Sequence, residues 1–92
     1  MDISGPWQSE DGLHYEFTQS GNHILLNVKN VYGAVVSSGE GSIAARKVEL
    51  NYVLSNLTVG GLQLTVAGNG NEMRGTYKNV TMGLSGRIIL SR

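Results

Sequence analysis

The sequence predicts an all-β domain, an antiparallel meander of six to eight strands forming a small up-and-down barrel or half-barrel. Two observations carry this expectation. Thirteen glycines stand against a single proline, gathered with asparagine into turn-like clusters. Between the clusters, apolar and polar residues alternate with a period of two, as strands with one buried face require. Gly and Asn tolerate the positive φ of tight hairpin turns, and clusters recurring every ten to twenty residues or so are the spacing of a meander.

The elements follow in order. Gly5-Pro6-Trp7 opens the first strand. After the turn at Glu10-Asp11-Gly12, Leu13, Tyr15 and Phe17 share one face, opposed by His14, Glu16 and Thr18. Beyond Ser20-Gly21-Asn22, Ile24, Leu26 and Val28 oppose His23, Asn27 and Lys29. Tyr32, Ala34 and Val36 continue that parity, so the third strand is expected to run on to a turn at Ser38–Gly41, with Gly33 as a bend or bulge. Ile43 and Ala45 then have the opposite parity to Val48 and Leu50. Either a bulge near Arg46–Lys47 or a short separate strand explains the flip. Val48, Leu50, Tyr52 and Leu54 form the next apolar face, and their alternation in β-forming residues outweighs a helical reading of Ile43–Leu54. After Gly60-Gly61 come Leu62, Leu64 and Val66. After Gly68-Asn69-Gly70-Asn71 come Met73, Gly75 and Tyr77, and finally Leu84, Gly86, Ile88 and Leu90.

Residues 1–92 read as a single domain, near the lower end of what folds around one core. Apolar residues make up 40% of the chain and charged residues 15%, a globular balance. Such a small core leaves little spare stability, so a homodimer, including two half-barrels packed face to face, is an open arrangement. Seven basic and seven acidic side chains cancel and are interspersed, which argues against nucleic acid and against polybasic docking on a membrane. No apolar run approaches the roughly 20 residues of a membrane span. Without cysteine there is no disulfide, thiolate metal site or cysteine nucleophile. With no signal-like segment at Met1–Pro6, the cytoplasm is the default expectation, and secretion stays open if a signal has been removed.

Gly5-Pro6-Trp7 on the first strand and the arginine closing Ile88-Ile89-Leu90-Ser91-Arg92 together resemble the calycin group, the barrels of lipocalins, fatty-acid-binding proteins and avidins. The resemblance covers about ten residues at the two ends plus the general meander. It implies that Trp7 packs beneath an arginine, Arg92 or Arg87, at the barrel floor, where the indole face attracts the guanidinium. The chain departs from the group in being shorter, and no avidin-type ligand residues are matched by motif. Bacterial lipocalin-like inhibitors are similar in size but usually carry cysteines.

The residues that invite chemistry have simpler readings. His14 and His23 sit near the two ends of one predicted hairpin and share its polar face, with Glu16 as the available third metal ligand; surface histidines on a wet face are the favoured account of them. Ser37, Ser38 and Ser42 lack an adjacent histidine or a nucleophile elbow. Gly39-Glu40-Gly41, Gly60-Gly61 and Gly68-Asn69-Gly70 lack the following helix that a phosphate cradle requires, and read as hairpin turns. The sequons at Asn56 and Asn79 are expected by chance in an asparagine-rich chain. No catalytic constellation emerges, so the chain is read as a non-enzyme without cofactor or metal.

The aromatics are more informative. Tyr15, Phe17, Tyr52 and Tyr77 carry inward parity, as does Tyr32 if the third strand is continuous. Inward tyrosines bring an apolar ring and a hydroxyl that needs a partner. They are the candidate lining of an interior site for a small hydrophobic or aromatic molecule, while inward Gly75, Gly86 and Ala45 either admit those rings or leave space. The alternative is a protein-binding or inhibitor module acting through hairpin loops such as Ser37–Gly41 or through a strand edge.

Overall fold

The computed structural model of the chain describes residues 2–54 and 58–92. Within them run β1 (Gly5–Ser9), β2 (His14–Ser20), β3 (His23–Lys29), β4 (Val35–Ala44), β5 (Lys47–Leu54), β6 (Val59–Val66), β7 (Glu72–Asn79) and β8 (Leu84–Ser91). Each strand pairs antiparallel with the next, and β8 returns to β1, giving a closed up-and-down barrel. The inward residues of the alternating runs make one core, from Trp7, Tyr15 and Phe17 through Ile24, Leu26, Val48, Leu50 and Tyr52 to Leu64, Met73 and Leu90.

Several expectations need correction, most of them concerning glycine. Ser38–Gly41 is not a turn but the middle of β4, and Gly60-Gly61 lies within β6. The third strand does not continue through Tyr32. It ends after an irregularity at Val28/Lys29, and the chain turns at Asn30, whose Oδ1 accepts from the amides of Tyr32 and Ala34 at 2.9 and 3.1 Å. Gly33 supplies the positive φ of 81° in that turn, and Tyr32 is 90% exposed. The parity flip after Ile43 is not a bulge: Ile43 belongs to β4 and Val48 to β5, separate strands, although β4 is long instead of short. A two-residue hairpin joins Ala44 to its partner Lys47, with Ala45 exposed at φ 55° instead of facing inward.

Inward glycines serve the interior. In the ladder, Gly39 and Gly60 flank Tyr52 on either side, Gly41 lies opposite Leu50, Gly75 opposite Leu64 and Gly86 opposite Tyr77. A Cβ at Gly86 would come within 2.7 Å of the Tyr77 ring, and one at Gly41 or Gly75 would overlap the carbonyl of Glu49 or Gln63. The missing side chains let strands approach and bend at these points while large rings lie across them.

One end is sealed. Trp7 is fully buried and its indole N–H donates to the Ile3 carbonyl at 2.9 Å. Phe17 meets it edge-on at a centroid distance of 6.4 Å. The Arg92 guanidinium lies over the Trp7 ring, 4.5 Å from its centroid. From there it donates to the carbonyls of Gly70, Ser4 and Asp2 at 3.0, 3.4 and 3.1 Å. The segment before β1 is drawn across the floor, held also by the Ile3 amide donating to Gln19 Oε1 at 2.9 Å. Closure along the side is thinner: β1 and β8 share two residue pairs, Gln8 with Ser91 and Ser9 with Leu90.

Replacing Arg92 by alanine removes the cation–π contact and the guanidinium fork, and is expected to cost about 1–2 kcal/mol. Lysine should recover only part of this, read as the urea midpoint of Trp7 fluorescence. Gly41→Ala and Gly75→Ala are each expected to cost more than about 3 kcal/mol. Gly61→Ala, where a Cβ meets nothing closer than the Leu50 carbonyl at 3.5 Å, should leave the melting temperature nearly unchanged.

Candidate functional site

The opposite end of the barrel is not filled. A cavity of about 280 Å³ enters there, walled by Tyr15, Leu26, Val28, Tyr52, Leu62 and Tyr77, with Ser37 and Asn79 as its buried polar groups. The cavity follows from side-chain size. Around Trp7 the inward positions carry large residues, whereas toward this end glycine and serine alternate with tyrosine, whose rings span the interior without filling it.

Tyr15, Tyr52 and Tyr77 line this cavity. Phe17 does not; it packs on Trp7 at the sealed end. Tyr32 stands outside, on the β3–β4 turn. The three lining hydroxyls make no hydrogen bond to the described residues, and no buried side-chain polar atom among those residues lacks a partner. The hydroxyls therefore face accessible space in the cavity. Ser37 is satisfied separately, donating to the Val53 carbonyl at 3.2 Å.

Burial pushes the Tyr15 hydroxyl up to about 12, with the Asp11 charge and Tyr52 adding to the effect. Burial also raises Tyr52, with Tyr77 as the second cause. The Tyr15 and Tyr52 phenols, in a row with Tyr77, are thus held neutral at physiological pH by their burial. A neutral phenol both donates and accepts, so the row suits an apolar ligand with one or two polar atoms better than an ion.

The mouth is apolar as well. Val31, Tyr32 and Val35 on one side and Val80, Met82 and Leu84 on the other are all exposed, and the turns 30–34 and 80–84 contain no charged residue. No sequence signal pointed to this rim, because single exposed apolar residues in short turns resemble ordinary loop composition. A larger concavity of about 1020 Å³ lies on the outer face, across Ser38, Glu40, Asn51 and Gln63. Its lining mixes Tyr52 with Glu40, Glu49 and Lys78 over the faces of β4–β6.

His14 and His23 do not approach each other. The register pairs His14 with Lys29 and His23 with Ser20, placing them about 20 Å apart at opposite ends of the hairpin. His23 Nε2 faces Glu40 Oε2 at 3.4 Å, and Glu16 pairs with Lys29 Nζ at 3.2 Å. No group of three metal-ligating side chains occurs among the described residues. Arg87, the other arginine considered for the floor, lies at the cavity's lip instead. Asn79 is buried with its Oδ1 accepting from the Met82 amide at 3.0 Å, a poor acceptor for a glycan; the Asn56 sequon begins outside the described residues. No helix of the described residues is long and apolar enough to cross a membrane.

The tyrosine row has a consequence for stability. A phenol of ordinary pKa 10.0 when unfolded and about 12 when folded contributes stability fully present below pH 10 and lost as pH rises from 10 toward 12. Over that interval the protein is expected to lose on the order of 2 kcal/mol that Tyr15→Phe does not lose. Denaturant titrations across the range, with tyrosinate absorbance recorded in parallel, check this.

Neither a known family model, a curated protein nor a solved structure matches the chain.

Proposed function

We propose that the domain binds a small hydrophobic or aromatic molecule in the open end of its barrel. The observation that carries this reading is the cavity itself, with Tyr15, Tyr52 and Tyr77 set among its apolar walls. A void of this size in so small a protein costs stability through lost packing, and occupation by a ligand would return those contacts. Its volume, about 280 Å³, lies at the lower end of small-molecule sites and suits one or two rings better than a long acyl chain. The exposed rim of Val31, Tyr32, Val80 and Met82 would extend the apolar surface outward to meet the ligand.

The calycin-like reading belongs to the same proposal. Its support is the closed up-and-down topology and the placement of Arg92 over Trp7. The alternative of a protein-binding or inhibitor module draws on the same uncharged apolar turns. It does not draw on Ser37–Gly41, which is strand.

The test is thermal-shift screening against a library of one- and two-ring aromatic compounds, followed by calorimetry on the hits. A hit at 100 times its Kd is expected to stabilise the fold by about 2.7 kcal/mol. Ser37→Phe, which places a phenyl ring in the cavity from a small inward position, should abolish that stabilisation while the protein stays folded by Trp7 fluorescence. Hits that shift the melting temperature equally in Ser37→Phe would overturn the reading, as would a screen without hits.

A further inference from the structure

Exposed apolar side chains are not scattered over this barrel. Of the nine large ones exposed among the described residues, all but Leu25 stand at the open end. They occupy the β3–β4 turn, the adjoining ends of β5 and β6, and the β7–β8 turn. Single exposed apolar residues are ordinary on a monomer, whereas a crown of them marks a surface that meets something apolar. The turn at this end that carries acids, with Glu10 and Asp11 between β1 and β2, is set back. Continued past the Ser9–Leu90 pair, the register puts Asp11 level with Ile88. That is four residues short of Leu84, or roughly 13 Å along the strand.

The two projecting turns satisfy their own polar groups. Asn30 Oδ1 accepts from the amides of Tyr32 and Ala34, and the Asn30 carbonyl accepts from the Gly33 amide at 3.0 Å. In the other turn Asn79 Oδ1 accepts from the Met82 amide. The Val80 amide donates to the Val59 carbonyl at 2.9 Å, and Thr81 Oγ1 accepts from the Val59 amide at 3.0 Å. Protein partners are held in part by direct hydrogen bonds. Turns whose amides are bonded internally are instead suited to a layer that offers no hydrogen-bond partners. Charge complements this. Lys78 and Arg87 are exposed on the outer face of the β7–β8 hairpin and form no ion pair among the described residues. Lys78 lies two residues below Val80, roughly 7 Å along the strand. An apolar tip that enters a bilayer interface by about 5–10 Å brings that ammonium to the headgroups. Lys29, below the other turn, is held by Glu16 at 3.2 Å, and Asp11 shares the cavity's lip with Arg87.

We propose that the open end is a membrane-docking surface. The β3–β4 and β7–β8 turns enter the interface of a bilayer containing anionic lipid, Tyr32 lies at headgroup level as interfacial tyrosines do, and Lys78 with Arg87 faces the phosphates. Apolar insertion supplies most of the affinity, since the chain has no net charge. A second copy of this chain is the poorer occupant. A stable dimer needs roughly 800 Å² of close-fitting surface on each partner, and these turns stand on opposite sides of an open mouth. A bilayer accommodates separate tips. Docking stands separately from ligand binding in the cavity.

The test is flotation of the intact protein with two kinds of vesicle. One is pure phosphatidylcholine, and the other is phosphatidylcholine mixed roughly three to one with phosphatidylglycerol. Binding to both is expected, about tenfold tighter on the anionic vesicles. Replacing Lys78 and Arg87 together by glutamine should remove that preference and leave binding to the neutral vesicles unchanged. Met82→Ser should weaken binding to both by about tenfold, while Leu25→Ser, at the exposed apolar site away from the crown, should weaken neither. Trp7 fluorescence reports that each variant keeps its fold. Ser37→Phe, which fills the cavity, should dock like the unaltered protein, so a failure of docking and a failure of ligand binding are told apart. The proposal is overturned if neither vesicle binds the protein, if Leu25→Ser weakens binding as much as Met82→Ser, if the anionic preference survives loss of both cations, or if sedimentation shows the crown buried in a dimer that vesicles do not dissociate.

Discussion

Closing an eight-stranded sheet requires the last strand to find the first, and here that meeting is confined to two residue pairs between β1 and β8. What holds the seam is the plug at the sealed end. Arg92 leaves β8 directly after its last pair, lies over the Trp7 ring and bonds carbonyls on both the β6–β7 turn and the segment before β1. A single guanidinium therefore joins the two ends of the chain to the core aromatic on which β1 is anchored. Its planar fork suits this task, because several donors diverge from one rigid group while its face rests on an indole.

The remaining geometry depends on that anchoring. With Trp7, Phe17, Ile24, Met73 and Leu90 packed at one end, the strands there are fixed, and space must be resolved toward the other end. The inward glycines allow β4, β6, β7 and β8 to approach their partners closely, and Tyr52 and Tyr77 occupy the area that their missing side chains release. Rings laid across glycines are supported on one side only, and their hydroxyls are left pointing into unfilled space. The cavity is thus the outcome of a packing pattern in which large flat side chains stand where branched aliphatic ones would interdigitate more completely.

Much of this was legible in the sequence. Period-two alternation identified the inward face of β2, β3, β5, β6, β7 and β8 because each has one wet side. Glycine misled where it served the interior instead of a turn. Ser38-Gly39-Glu40-Gly41 has the composition of a loop, and only its partners, Tyr52 and Leu50 on β5, reveal that a strand needs glycine there. Ala45 misled in the opposite sense, since a positive φ at alanine carries no compositional sign. Tyr15, Tyr52 and Tyr77 were assignable to the interior by parity, but Phe17 has the same parity. Only height along the barrel axis separates the sealed end from the open one, and that depends on strand stagger, which a single strand's pattern does not encode.

The stagger also accounts for where β8 runs past its neighbour. β1 is five residues long and β8 eight, so β8 must outrun its neighbour on one side while β7 matches it on the other. Because the plug fixes their pairing at the sealed end, the entire surplus of β8 falls at the open end. That surplus lies beside the cavity and the uncharged rim instead of being divided between the two ends. An arrangement that tightened the floor without lengthening β1 would leave that surplus unchanged, whereas extending β1 by a few residues would pair it and narrow the cavity's side together. Sealing one end with Trp7 and Arg92 and leaving β8 to outrun β1 at the other are consequences of the same difference in strand length.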